Sequence, residues 1–206
     1  GGRTCLYRVE IGLRGTLRRA LVERVLQFTA AKPFFIMESA TKTQAKNKYQ
    51  VSIDLLNDAV GKEIATSLQY MYFHFICEDK GYRPLAQYFK RTAIQEMKHA
   101  EEFAERILFL EGEVKMVLAK GVKHITEVPE MLDYARELEK GTIEDYNAWS
   151  KETAALGDAG SHKLFQDILV VEEGHMDQFR LEMENSKEYG KEYLALQVVD
   201  NLKNAE

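Results

Sequence analysis

Residues 96–112 read EMKHAEEFAERILFLEG. Phe103, Ile107 and Leu110 recur at the spacing of one helical face, so the segment is predicted to be an amphipathic helix laid on an apolar core. The same segment sets Glu96 and His99 three residues apart. At 3.6 residues per turn, such side chains project about 60° apart and one turn apart in height, close enough to reach one ion.

Outward from this stretch, helix punctuation governs the chain from about Lys48, and strand signals are absent. A first helix is expected from near Tyr49 to Asp79, stopping at Gly81. The second starts with Pro84 in its first turn and ends at Gly112. Residues 113–126, EVKMVLAKGVKHIT, form the longest connection. Thr126 is the expected cap of a third helix that has Pro129 in its first turn and reaches about Leu156. Gly157 closes that helix, and Asp158 caps a fourth that runs through Glu184. A short amphipathic tail after Gly190, KEYLALQVVDNL, makes a fifth. None of the three prolines, Pro33, Pro84 and Pro129, interrupts a helix interior. The fold class is all-α: two antiparallel hairpins joined by a long crossover into a four-helix bundle, plus a short C-terminal helix.

The Glu-x-x-His device occurs twice. Glu172 and His175 repeat it on the fourth helix, and each copy has a glutamate 33 residues upstream, Glu63 before Glu96 and Glu139 before Glu172. Seven residues after each leading glutamate stands a tyrosine, Tyr70 and Tyr146, so the halves read as a diverged internal duplication. Four carboxylates and two imidazoles therefore face the middle of one bundle, with Glu63 and Glu139 expected to bridge. Four buried acids without a Lys or Arg partner repel one another and lose their hydration, so cations must compensate. Oxygen and imidazole donors in this ratio suit two iron or manganese ions better than tetrahedral zinc or all-oxygen calcium. One Glu from each of two helices plus Glu-x-x-His from each of the other two is the ligand set of ferritin-like di-iron bundles. Glu101, Glu102, Glu105 and Glu173 fall off this face and read as solvated charge. His74, His124 and His162 have no partner at ligand spacing and read as structural.

Composition narrows the class. A chain of 206 residues, 45% hydrophobic and 30% charged, suits a single buried core. Cys5 and Cys77 are the only cysteines, which excludes a disulfide framework or thiolate zinc site and fits a reducing, cytoplasmic setting. Cys77, within FHFICED, reads as a small buried hydrophobe. No apolar run approaches the roughly 18 residues of a membrane span. Residues 1–36 carry seven basic groups against Glu10 and Glu23, whereas the whole chain has a net charge of −5. The body from Met37 onward is thus strongly acidic, which disfavours nucleic-acid binding and suits a collector of cations. Residues 1–36 are expected to be a basic extension appended to a start at Met37, with a targeting peptide or basic arm as alternatives.

EMKHAEEFAERILFLEG and EEGHMDQF are similar to the second- and fourth-helix segments of bacterioferritins, and the resemblance spans about residues 48–203. It implies that residues 37–206 form a ferritin-like di-iron domain with Glu63, Glu96, His99, Glu139, Glu172 and His175 as ferroxidase ligands. It further implies oxidation of Fe(II) to Fe(III) by O2 or H2O2, and storage of the mineral in a homo-oligomeric shell of twenty-four subunits built from two-fold dimers. A twelve-subunit shell is the alternative. Met97 matches the axial ligand of a haem b or related iron porphyrin shared between two chains. Its position, about 100° round the helix from Glu96, turns it away from the ligands. Ile64, Leu68 and Met71 are candidate apolar walls for the porphyrin, and a ferredoxin is the expected reductant. Two departures stand out: Gln95 and Val171 replace the aspartates that often precede each Glu-x-x-His. Tyr70 and Tyr146 are therefore expected to orient the ligand histidines in their place, with Tyr70 also a candidate electron donor. Arg91 and Gln95 stand where many members place an inner-surface iron site.

Two other readings compete. A rubrerythrin-like peroxidase usually carries a further carboxylate one turn after the third-helix glutamate, where this chain has Thr142, and its rubredoxin-type module needs four thiolates. A DNA-protecting miniferritin normally builds its site between subunits, against which two full Glu-x-x-His pairs in one chain speak.

Overall fold

The computed structural model describes residues 47–203, with side chains described through residue 199. The expected boundary between residues 36 and 37 lies outside the described residues. Five helices follow in order: α1 Gln50–Asp79, α2 Arg83–Phe109, α3 Val128–Ala155, α4 Ala159–Tyr189 and α5 Lys191–Lys203. No strand occurs among the described residues. α1 pairs with α2 and α3 with α4 as hairpins, while α5 packs on α2 and α4. The architecture is the expected ferritin-like bundle.

Each hairpin turns through a glycine in the left-handed region, Gly81 at φ 78° and Gly157 at φ 74°. An L side chain is strained there, so glycine is the fitting residue. The two occupy equivalent places, each 18 residues after its leading glutamate, Glu63 or Glu139.

Several boundaries differ from expectation. α2 ends at Phe109, and Glu111 at φ 57° turns the chain away. Glu127 rather than Thr126 precedes α3, with no side-chain cap. α4 continues past Glu184 because Ser186 is still buried, and it stops only at Gly190.

Two apolar clusters divide the bundle along its length. One gathers Phe73, Phe89, Leu132, Ala135, Phe179 and Tyr193. The other gathers Ile53, Leu56, Val60, Phe103, Ile107 and Phe165. On all four long helices the candidate residues Glu63, Glu96, His99, Glu139, Glu172 and His175 lie in the sequence interval between these clusters. Hydrophobic packing on both sides thus fixes the helix register and shuts water out of the polar layer.

The crossover between α2 and α3 is bound to α1 at three levels. Asn57 donates to Glu113 O (3.0 Å) and accepts from Lys115 N (2.6 Å). Ala119 N donates to Gly61 O (3.0 Å), and Gln69 exchanges two hydrogen bonds with the Lys123 backbone (3.0 and 2.7 Å). Gly61 permits the approach: a Cβ there would stand 2.5 Å from Val117 O. No helix among the described residues is long and apolar enough to cross a membrane.

Candidate metal centre

Glu63 projects from α1, Glu96 and His99 from α2, Glu139 from α3, and Glu172 and His175 from α4. All six are buried, none more than 8% exposed. They form two overlapping groups: Glu63, Glu96, His99 and Glu172 in one, and Glu96, Glu139, Glu172 and His175 in the other. In each group the ligand atoms lie within 4.8 Å of one another.

The overlap corrects one expectation. Glu96 and Glu172 are the shared carboxylates, whereas Glu63 and Glu139 each serve one group. The reason is geometric: α2 and α4 bring the two imidazoles to a stacked 6.1 Å separation, and their own glutamates lie between them. Glu172 oxygens stand 2.8 Å from His99 Nδ1 and 3.1 Å from His175 Nδ1, and Glu96 oxygens at 3.4 and 3.0 Å. Proximity does not satisfy these atoms. The angles are wrong for hydrogen bonds at His99 Nδ1, Glu96 Oε1 and Glu172 Oε1, so three buried polar atoms have no hydrogen-bond partner. Donors that converge without pairing leave room for cations to complete them, and oxygen with imidazole nitrogen is a donor set that fits iron.

Electrostatics carries the same message. Burial and the carboxylates of Glu172, Glu139 and Glu63 drive the Glu96 carboxyl well above its ordinary range. Burial and Glu172 do the same to Glu139. Burial disfavours the charged form of His99, but Glu172, Glu63 and Glu96 outweigh it and push the imidazole up to about 12. Glu172 resists its own burial through His175 and His99 and is held at about 2. Protons thus offset the buried carboxylates, and a metal ion binding to this cluster would have to displace them.

The tyrosines do not orient the histidines as expected. Tyr70 donates to Glu139 and Tyr146 to Glu63, each hydroxyl reaching the opposite hairpin. Burial, then the neighbouring carboxylates, raises both phenols, so they remain protonated donors. It is Gln95 that reaches a histidine, its Oε1 accepting from His175 Nε2 at 3.2 Å.

The ferritin-like domain family matches residues 53–188. A bacterioferritin from Desulfovibrio desulfuricans is 35% identical over 143 residues, 69% of this chain and 80% of that protein. One from Brucella melitensis is 30% identical over 140 residues, 68% of this chain and 87% of the relative. The chain belongs to the bacterioferritin family.

Solved bacterioferritin structures superpose accordingly. The Desulfovibrio desulfuricans protein, known for its diiron site in different catalytic states, matches with a TM-score of 0.72 and 33% identity, covering 73% of this chain and 88% of that one. The Rhodobacter capsulatus bacterioferritin, with a metal-free dinuclear site and a haem iron in a crystallographic special position, gives a TM-score of 0.69 at 27% identity, covering 71% and 92%.

The remaining singled-out residues sort by exposure. Met97 is 58% exposed beside Glu96 at 1%, so it faces away from the ligand layer as its helical position requires. Leu68, Phe75 and Ile94 are other exposed apolar side chains of α1 and α2. His74 Nδ1 bonds Ala86 O (3.0 Å), His162 meets Ser150 (2.9 Å), and His124 packs at a tilt against Tyr72, all structural contacts. Burial pushes the Cys77 thiol up to about 12 against the pull of Lys80, which makes it an unreactive core residue. Glu101, Glu102, Glu105 and Glu173 are exposed.

Proposed function

We propose that this bacterioferritin-family chain is a ferroxidase and iron-storage subunit that oxidises Fe(II) at the centre inside its bundle. The observation that carries the reading is the buried six-residue layer with Glu96 and Glu172 common to both ligand groups. Glu63 and His99 hold one iron and Glu139 and His175 the other, while Glu96 and Glu172 lie between. Two iron ions there supply one electron each, a pair that reduces O2 to H2O2 or H2O2 to water. Four carboxylates match the four positive charges of two Fe(II) ions, so loading offsets the burial and mutual repulsion that otherwise raise Glu96 and Glu139. Tyr70 and Tyr146 fix the rotamers of the two outer glutamates. The apolar clusters above and below exclude bulk water.

The wider reading follows the family. The mineral is stored inside a homo-oligomeric shell of twenty-four cytoplasmic subunits, a twelve-subunit shell being the other possibility. Dimers pair so that Met97 and its copy ligate a haem. The exposure of Met97, with Leu68 and Ile94 also exposed, supports that reading, since apolar surface of this kind marks partner contacts. A ferredoxin is the reductant that returns stored Fe(III) to solution.

Aerobic addition of Fe(II) to the purified chain tests the reading, with absorbance and particle mass followed on one sample. Oxidation faster than in buffer, lost in Glu96→Ala, is expected together with a large particle. Oxidation at the buffer rate overturns the ferroxidase assignment. A Soret band before iron addition, absent in Met97→Leu, tests the haem.

A further inference from the structure

We infer that the two metal positions are unequal, with Gln95 acting as the positioning residue that makes the His175 position the tighter one. The inference rests on the cluster being a two-ion centre. Gln95, on α2, reaches across to α4 and accepts the Nε2 hydrogen of His175 at 3.2 Å. Nε2 then carries a proton, and Nδ1, which faces Glu96 and hydrogen-bonds Glu172 at 3.1 Å, is the nitrogen presented to an ion that displaces its proton. The duplication places Val171 where Gln95 stands, each one residue before its Glu-x-x-His glutamate. Val171 and His99 line a common surface depression of about 540 Å³, together with Gln95, Arg91 and Lys98. An isopropyl group accepts no hydrogen bond. Among the described residues no neighbour bonds the far nitrogen of His99, and its Nδ1 is itself without a hydrogen-bond partner. His99 is held from one side only, its Nδ1 2.8, 3.4 and 3.7 Å from Glu172, Glu96 and Glu63, with no acceptor among the described residues to keep a proton on the far nitrogen. An ion bound by Glu63, Glu96, His99 and Glu172 must set the proton on the far nitrogen of His99 as it binds, whereas the far nitrogen of His175 is already engaged by Gln95.

Loss of an outer hydrogen-bond partner of a ligating histidine typically lowers metal affinity by about 10–100-fold. Anaerobic titration of the full-length protein with Co(II), read by visible ligand-field absorption and calorimetry, should therefore resolve two steps at least about tenfold apart in affinity. His99→Ala should remove the weaker step and His175→Ala the tighter one. Gln95→Leu should weaken the tighter step about 10–100-fold and draw the two together, while Gln95→Glu retains the separation. Val171→Asp, which gives His99 an acceptor, should strengthen the weaker step. Gln95 lies at the surface, so helix content and thermal midpoint of the two Gln95 variants should match the parent. Two Co(II) ions binding with equal affinity, or a Gln95→Leu titration that overlays the parent, overturns this inference and leaves the two-ion centre standing. Failure of the parent protein to take up Co(II) overturns both.

Discussion

The α1–α2 hairpin and the α3–α4 hairpin repeat one another at a constant offset of 76 residues, from Glu63 and Glu139 through Gly81 and Gly157 to His99 and His175. The repeat reaches beyond the ligands into the rings that enclose them. Tyr70 packs on Phe73, Phe89 and Phe179, with centroids 6.5, 5.9 and 5.2 Å away. Tyr146 packs on Trp149, Phe165 and Phe103 at 5.6, 5.5 and 5.4 Å. By the offset, Phe73 answers to Trp149, Phe89 to Phe165 and Phe103 to Phe179, so two aromatic cages face each other across the metal layer. The halves part company where they meet something unrepeated: the crossover over α1, the cap of α4 and the residue before each Glu-x-x-His. The duplicated interior holds the chemistry, while the singular surroundings can give each half its own energetics.

The sharpest way to break this symmetry is inside the metal layer. Glu96 and Glu172 belong to both ligand groups, Glu63 and Glu139 to one each. Glu96→Ala or Glu172→Ala should abolish uptake of both ions, an effect on iron oxidation beyond the roughly 10–100-fold typical of losing an outer partner. Glu63→Ala and Glu139→Ala should each leave one ion bound, as read by metal analysis after anaerobic loading. Equal stoichiometry in all four variants would contradict the shared-ligand geometry.

Tyr70→Phe and Tyr146→Phe probe the cages. Each removes a buried donor to a carboxylate and keeps the ring, at a cost of up to about 3 kcal/mol in the metal-free protein. Urea midpoints of the two variants should fall by similar amounts. A large difference would mean that the exchange of Phe73 for Trp149, with Lys62 5.6 Å over the indole, changes what the cage does.

Glycines within α1 and α3 separate the halves more gently. Gly61→Ala drives a methyl into Val117 O of the crossover and should destabilise the fold by about 2 kcal/mol through overpacking. At Gly141, on α3, an added Cβ meets nothing within 4 Å, so Gly141→Ala should stabilise by up to about 1 kcal/mol through helix propensity. Thermal midpoints moving in opposite directions are the expected result.

Much of this was legible in the sequence, and the parts that were not have a common cause. Helix periodicity, Pro84 and Pro129 in first turns and glycines at hairpin ends are local signals, and they located all five helices. The six residues of the buried cluster were legible because the E-x32-E-x2-H spacing occurs twice. Spacing states what a side chain can reach on its own helix. It does not state what stands opposite, so it points to Glu63 and Glu139 as the shared carboxylates, whereas Glu96 and Glu172 are the ones common to both groups. The tyrosines were likewise assigned to the histidines, although their hydroxyls cross to the glutamates of the other hairpin. Gln95 registered as a departure from the family pattern, and only the packing of α2 against α4 gives it a partner.

The two hairpin turns supply the mildest contrast. At the start of α2, Tyr82 offers no side-chain cap. At the equivalent place Asp158 accepts from Ser161 N at 3.1 Å and pairs with Arg106, whose Nε also donates to Ser161 Oγ at 3.0 Å. Burial pushes the Asp158 carboxyl upward, but hydrogen bonds from Ser161 and Arg106 outweigh it and hold it below the usual range. A carboxyl depressed in the folded state stabilises above its unfolded value of about 4 and loses that contribution as pH falls through the lower folded value. Asp158→Ala should therefore cost about 1 kcal/mol at neutral pH, and the gap between variant and parent should narrow as the solution is acidified below about pH 4. Urea midpoints measured across that range decide it. A gap that stays constant would mean the corner is held by shape rather than charge, and the second hairpin would then owe its firmer turn to Gly160, where a Cβ would stand 2.6 Å from the Arg106 guanidinium.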